Sequence, residues 1–384
     1  MRFEFATATR ILFGQGTIKE CGLLVRPLGD RALLVLGKSG ERISPLIEPL
    51  RESGIAISEF RVSGEPTVET IMAGLEHAQV EACNLVIGIG GGSVIDAGKA
   101  IAVLMTNPGP IHDYLEVVGS GKQLIHPSIP YIAIPTTAGA GSEVTRNSVI
   151  TVAKKHVKVS LRSAWMLPRL AIVDPELTYS LPPEITAATG LDALTQLIEP
   201  FLSTAPNPMT DAICREGMRR VSRSLRSAYQ DGDDPHARED MAIGSLLGGM
   251  ALANAKLGAV HGFASSIGGK FSAPHGAICA RLLPLVVKNN LEAIQARAAQ
   301  PTILGRFDEI ARLLTGDPAA RAEAGINWLF ELGAALKVPP LATYGLARSD
   351  IPEIIVQAKS ASSMKGNPIG LSDAELSRIV ELAL

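Results

Sequence analysis

The amino-acid sequence predicts a parallel α/β domain followed by an all-α domain, with the boundary near residue 180. Three observations predict it. Up to that boundary, short and continuously apolar runs alternate with helix-length segments, and such runs are the mark of strands buried on both faces of a parallel sheet. A glycine run falls between one of those strands and the helix after it. Beyond Leu181 the chain is long, Ala- and Leu-rich and almost without strand signals.

Taken in order, the predicted strands are RALLVLG, IAISEF, NLVIGIG, YIAIP and LAIVD, each bounded by Gly, Pro, Ser or Asn. NLVIGIGGGSVIDAGKAIAVL joins a strand, a tight turn and a helix. Gly90, Gly91 and Gly92 let the backbone approach an anion with no Cβ in the way, and the helix that follows points its free N–H groups and positive dipole end at that anion. Asp96 and Lys99 fall in the first turns of this helix. The stretch departs from the usual dinucleotide fingerprint, because Ser93 stands where G-x-G-x-x-G has its last glycine. A second polar turn, PTTAGAGSEVT from Pro135 to Thr145, follows YIAIP. Hydroxyls and glycines at the carboxyl ends of strands line the crevice where open α/β sheets bind ligands. A close-packing turn and a solvated loop are the bland alternatives; two such turns in one domain favour a nucleotide crevice. In the second half SLPPEITAAT supplies a Ser and two prolines as a helix start. REDMAIGSLLGGMALANA and AGINWLFELGAAL read as helices.

The bulk properties exclude several classes. A chain of 384 residues suffices for two domains with separate cores. Hydrophobic content of 46%, charged content of 19% and a formal charge of −2 describe an ordinary soluble protein. Scattered Lys and Arg with a pI near 6.4 point away from nucleic acid. No apolar run reaches the roughly 18 residues that span a bilayer, and MRFEFATATR lacks the apolar core of a signal peptide. Cys21, Cys83, Cys214 and Cys279 lie far apart with no CxxC pair, so reduced cytoplasmic thiols are expected, and neither a disulfide framework nor a cysteine-based zinc site.

In GLDALTQLIEP, Asp192 and Gln196 share one face of a helix. Asp followed four residues later by His would suggest half of a metal site; the glutamine leaves an odd ligand, a lost site or an ordinary buried helix as alternatives. His261 in GAVHGF and His275 in APHGAI are the other polar residues set among apolar ones.

Together these segments resemble the iron-containing (group III) alcohol dehydrogenases nearly end to end: RILFGQGTI, GGGSVIDAGKAIA, PTTAGAGSEVT, LAIVDPELT, ATGLDALTQLIEP and the HG…PHG pair. The resemblance implies an α/β N-terminal Rossmann-like domain (1–180) plus an all-α C-terminal domain (181–384) for metal binding and catalysis, in the dehydroquinate synthase-like architecture. It implies a cleft holding NAD or NADP and a divalent metal, Fe2+ or Zn2+. The activity would be that of an NAD(P)-dependent alcohol dehydrogenase or aldehyde reductase on a small alcohol or carbonyl substrate, in a cytoplasmic homodimer or higher homo-oligomer. Carried over, Gly91, Gly92 and Ser93 hold the pyrophosphate, Asp96 lies towards the nicotinamide, and Thr136, Thr137, Lys158 and Leu177 line the cofactor site. Gly37 and Ser39 mark the strand end where the adenosine ribose is read. The metal falls on Asp192, Gln196, His261 and His275, with Asp192, His261 and His275 as the catalytic set.

Three positions depart from the family pattern. Gln196 replaces a ligand histidine, Ser265 stands where many members carry a further histidine, and Gly37 replaces the aspartate of NAD-preferring members. The last, with Lys38 beside it, predicts that NADP(H) is accepted at least as well as NAD(H). Two other readings stay open: a maleylacetate-reductase-like, metal-independent reductase of an acidic substrate, with Lys256 supplying positive charge, and a nucleotide-binding protein without chemistry.

Overall fold

The computed structural model describes residues 2–37, 43–116, 118–152, 157–297 and 301–384. It comprises two compact units. One is Ala6–Thr137 with Gly141–Tyr179; the other is Ser180–Leu384 with Ala138–Ala140 and the extreme N-terminus.

The first unit is built on strands β1 (Ile11–Phe13), β2 (Arg31–Leu36), β3 (Ala56–Arg61), β4 (Leu85–Gly90), β5 (Tyr131–Pro135) and β8 (Leu170–Val173). They form a parallel sheet in the order β1-β8-β5-β4-β2-β3. Its helices are α1 (Cys21–Val25), α2 (Ser44–Glu52), α3 (Val68–Val80), α4 (Gly92–Leu104) and α5 (Ile111–Tyr114). Successive strand residues face opposite sides of a sheet, and the apolar runs divide accordingly. Leu33, Val35, Val86 and Ala133 join one core with Ile71, Leu75, Ile95 and Ile101 of α3 and α4. Ala32, Leu34, Leu36, Leu85, Ile87 and Ile89 join a second core with Cys21, Val25, Leu46 and Leu50 of α1 and α2. A continuous apolar strand therefore serves two helical layers, which is the α/β architecture predicted.

Where α4 meets the sheet, Tyr131 fills space left by two glycines. A Cβ on Gly88 would lie 2.3 Å from the Tyr131 hydroxyl oxygen, and one on Gly98 would lie 2.7 Å from the ring. The hydroxyl donates to the Ile95 carbonyl at 2.8 Å.

A feature absent from the predicted strands is an antiparallel hairpin of β6 (Asn147–Val152) and β7 (Val157–Arg162). Its first strand alternates half-buried and buried residues, the period of a strand with one covered face, whereas the prediction used continuous apolar runs. Strand β1 spans three residues and offers too little pattern to read.

The second unit is helical: α6 (Pro183–Leu202), α7 (Pro208–Gln230), α8 (Pro235–Asn254), α9 (Ala259–Lys270), α10 (His275–Arg297), α11 (Pro301–Thr315), α12 (Ala322–Ala335), α13 (Ile351–Ser360) and α14 (Asp373–Ala383). The SLPPE signal does start α6, with proline at its first position, where the missing N–H has no helical partner to lose. Asn207 and Thr210 cap α7 reciprocally, and the Asp234 carboxylate accepts from two backbone N–H groups of α8. Leu194, Leu197, Ile198 and Phe201 bury one face of α6 in a core shared with all the later helices.

Candidate metal centre and nucleotide crevice

Helix α6 carries Asp192, Gln196 and Glu199, spaced to share a face. His261 lies in the first turn of α9, and α10 opens with His275 and carries Cys279 one turn on. Asp192, His261, His275 and Cys279 each present a donor atom, and these four atoms all lie within 4.8 Å of one another. The structure thus gathers Asp192 and the two histidines expected together, and adds a cysteine expected only as a reduced thiol.

Asp192 is 3% exposed. Its Oδ2 accepts from the Gln196 amide Nε2 at 3.0 Å. Among the described residues its Oδ1 has no hydrogen-bond partner, yet it lies 3.6 Å from His261 Nε2 and 3.7 Å from His275 Nε2. A buried carboxylate oxygen without a donor is costly by about 1–3 kcal/mol or more. A cation between the three atoms removes that cost. The spacing fits: metal bonds of about 2.0–2.1 Å to N and O hold tetrahedral ligand atoms about 3.4 Å apart.

Glu199 was not singled out from the sequence, although its position seven residues after Asp192 was a signal. Its Oε2 accepts from His261 Nδ1 at 2.7 Å and its Oε1 from the Val260 N–H at 2.7 Å. A proton fixed on Nδ1 leaves the Nε2 lone pair for a metal. Burial disfavours the charged ring, but the Glu199 bond and charge, helped by Asp192, hold the His261 pKa above its ordinary value. Proton and metal therefore compete for Nε2.

The expected ligand Gln196 turns its amide nitrogen onto Asp192, and its Oε1 is buried without a hydrogen-bond partner. Ser265 donates to the His261 carbonyl at 3.1 Å and is tied to its own helix. Lys256 is exposed in the loop between α8 and α9, not on a helix.

In the α/β unit, Gly37, Ile43, Ile89, Gly90, Gly91, Thr136 and Thr137 line a crevice. It lies at the carboxyl ends of β2, β4 and β5, where the chain reverses its direction of progress across the sheet. Open α/β sheets bind ligands at such a switch point. Helix α4 starts beside it with no side-chain cap at Gly91, which leaves N–H groups of Gly92 and Ser93 for an anion. Of the other expected cofactor residues, Asp96 is tied to the hairpin and to its own helix: its Oδ2 accepts from Val149 N–H at 2.9 Å, and its Oδ1 is 3.5 Å from the buried Lys99 ammonium. Lys99 in turn donates to Thr145 Oγ1 and the Asn147 carbonyl at 2.8 and 2.9 Å. This pair holds the hairpin against α4. Lys158 pairs with Glu65 at 3.3 Å, Leu177 packs in the core around Ile87 and Ile172, and Ser39 and Lys38 lie outside the described residues.

Comparison with known proteins gives one answer from sequence and structure. The family described as "Iron-containing alcohol dehydrogenase" matches residues 8–175, and its C-terminal counterpart, "Fe-containing alcohol dehydrogenase family, C-terminal", matches 186–384. Alcohol dehydrogenase 4 of Schizosaccharomyces pombe is 36% identical over 97% of this chain and 87% of its own length. The crystal structure of a 1,3-propanediol oxidoreductase superposes with a TM-score of 0.92 at 33% identity, covering 100% of both chains. Sulfoacetaldehyde reductase from Bifidobacterium kashiwanohense, solved in complex with NAD+, superposes with a TM-score of 0.84 at 28% identity, covering 99% of this chain and 98% of that one.

Proposed function

Because the chain belongs to the iron-containing alcohol dehydrogenase family, we propose that it interconverts a small alcohol and its carbonyl counterpart with NAD(P), the helical unit holding a divalent metal and the α/β unit the dinucleotide. The observation that carries this reading is Asp192 Oδ1, buried, without a hydrogen-bond donor and faced by two imidazole Nε2 atoms. That arrangement favours the metal-assisted reading over a nucleotide-binding protein without chemistry.

When bound, the metal supplies Lewis-acid polarisation of the substrate oxygen, and NAD(P) supplies the hydride chemistry. The protein's own residues do the rest. Asp192 provides a negative donor. His261 offers Nε2 because Glu199 holds its Nδ1 proton. His275, whose side chain is 37% exposed, is the accessible member of the set. At the crevice, the backbone of Gly90, Gly91 and Gly92 admits the pyrophosphate, while Thr136 and Thr137 line the adjoining strand end. Lys158 and Leu177 enter the cofactor site in this proposal only through shape, since one is ion-paired and the other is in the core. Asp96 sets the hairpin beside the crevice.

Among the described residues, no single helix is long and apolar enough to cross a membrane. Cytoplasmic residence belongs to the same proposal and is supported by four buried cysteines, none of them in a disulfide. A homodimer is expected from the family resemblance and is checked by light scattering.

The test pairs metal analysis of protein purified without added metal with an aldehyde-reduction screen using NADH and NADPH. Stoichiometric divalent metal and loss of turnover on chelation are expected. Full turnover by exhaustively chelated protein would refute the metal-dependent reading.

A further inference from the structure

The donor set offers a fourth atom at Cys279. On α10 it follows His275 by four residues and so shares its face. Its sulfur lies 3.6 Å from His275 Nε2, and it belongs to the group of donor atoms within 4.8 Å of one another. Metal bonds of about 2.3 Å to sulfur and about 2.05 Å to nitrogen, at the tetrahedral angle, separate S and N by about 3.6 Å. The side chain is fully buried, so the sulfur is placed by packing and not by a free rotamer.

Charge and chemistry point the same way. Among the donor atoms Asp192 alone is anionic, with the Glu199 carboxylate one imidazole away behind His261, in a site where Asp192 and His261 are 3% and 5% exposed. A thiolate supplies a second anionic donor in direct contact with a dication, and uncompensated charge at buried sites is costly. The Gln196 amide nitrogen is committed to Asp192 Oδ2, and an amide oxygen is a hard, weak donor for zinc or iron where a thiolate is a strong one. The unpartnered Asp192 Oδ1 marks the cation's position independently of the cysteine.

We propose that Cys279 is a metal ligand, completing an Asp192/His261/His275/Cys279 set and supplying the donor that the pattern expected at residue 196. The proposal rests on the reading of this cluster as a metal centre. As the sulfur–metal bond forms, the thiol proton passes to solvent, with no change of oxidation state. Gln196 acts as a positioning residue, holding Oδ2 so that Oδ1 faces the histidines. The soft donor favours zinc or ferrous iron over magnesium or manganese.

The test uses full-length protein stripped by chelation and reloaded with Co2+ alone, followed by absorption spectroscopy and metal analysis. A sulfur-to-cobalt charge-transfer band is expected in the parent and in Cys83→Ser, whose cysteine lies in the α/β unit. The band should be absent from Cys279→Ser, with affinity for cobalt lowered by about tenfold or more. Zinc absorption fine structure on the parent needs no variant, and should show one sulfur at about 2.3 Å. Stoichiometric cobalt without the band, or a zinc shell without sulfur, overturns the ligand assignment and leaves the metal centre standing. A parent that binds neither ion overturns both.

Discussion

Glu199 shows how one residue acts through another. It accepts from both His261 Nδ1 and the Val260 N–H, which an ionised carboxylate does with its two oxygens and an amide cannot. Glu199→Gln therefore leaves one donor unpaired and releases the imidazole from its orientation. Zinc affinity, measured by chelator competition, should fall about 10- to 100-fold, while far-ultraviolet circular dichroism stays unchanged. Unaltered affinity would mean that Glu199 only caps the start of α9. At the other site, the proposed function has Gly37 set cofactor choice by what it lacks. Among the described residues a Cβ there meets nothing nearer than Val94 at 3.7 Å, and Gly37 is not among the glycines with positive φ, so Gly37→Asp is expected to fold. Arg61, whose guanidinium lies 3.5 Å from the Gly37 carbonyl and 3.2 Å from the Glu59 carboxylate, would in that proposal meet a 2′-phosphate. The parent should use NADP(H) at least as well as NAD(H), and the aspartate should shift kcat/KM towards NAD(H). A parent with strong NAD(H) preference contradicts the argument.

At the scale of elements, the contact of α4 with the sheet depends on matched sizes. Gly88→Ala brings a methyl within 2.3 Å of the Tyr131 hydroxyl oxygen and should destabilise by about 1–3 kcal/mol. Tyr131→Phe removes that oxygen and leaves the ring carbon at 3.3 Å. The double variant should then be more stable than the sum of the two single changes predicts, by about 1 kcal/mol in a double-mutant cycle. Simple additivity would show that the clash is relieved elsewhere. The polar loop after β5 has its own signature. Burial pushes the Glu143 carboxyl up to about 7 from an ordinary 4.5, against the pull of Lys99. Between those values the folded protein keeps a proton that the unfolded chain has lost. The stabilisation is complete below pH 4.5 and is lost as pH rises towards 7. Glu143→Gln stays neutral throughout, so its melting temperature relative to the parent should climb across this window, by an amount equivalent to at most about 3 kcal/mol. A constant difference would place the titration on another group.

For the whole molecule, the proposed function gives the two units separable binding tasks. Hydrogen exchange followed by mass spectrometry should show zinc slowing exchange in α6, α9 and the start of α10, and NADP(H) slowing it at the ends of β2 and β4 and the start of α4. Zinc at 100 times its Kd should add about 2.7 kcal/mol of stability, and Asp192→Ala should abolish the effect. Zinc protection spread evenly over both units would instead mean that the ion binds nonspecifically.

The sequence by itself determined the order and kind of the main elements, because burial on two faces writes continuous apolar runs and burial on one helical face writes a period near 3.6. It also held the family, since GGGSVID, PTTAGAGSEVT and the HG…PHG pair are local strings that persist wherever the chain folds. Only the tertiary structure decided which side chains meet. Asp192 and Gln196 are neighbours by spacing, but that the buried amide donates to the carboxylate is seen only in the folded site. Asp96 sits in a glycine-rich motif, yet the hairpin that captures it lies some fifty residues on, roughly the length between Asp96 and Val149. Cys279 has no CxxC partner and looks inert in sequence; it reaches the cluster because α6, α9 and α10 pack together, and contacts between distant segments leave no period in any one of them.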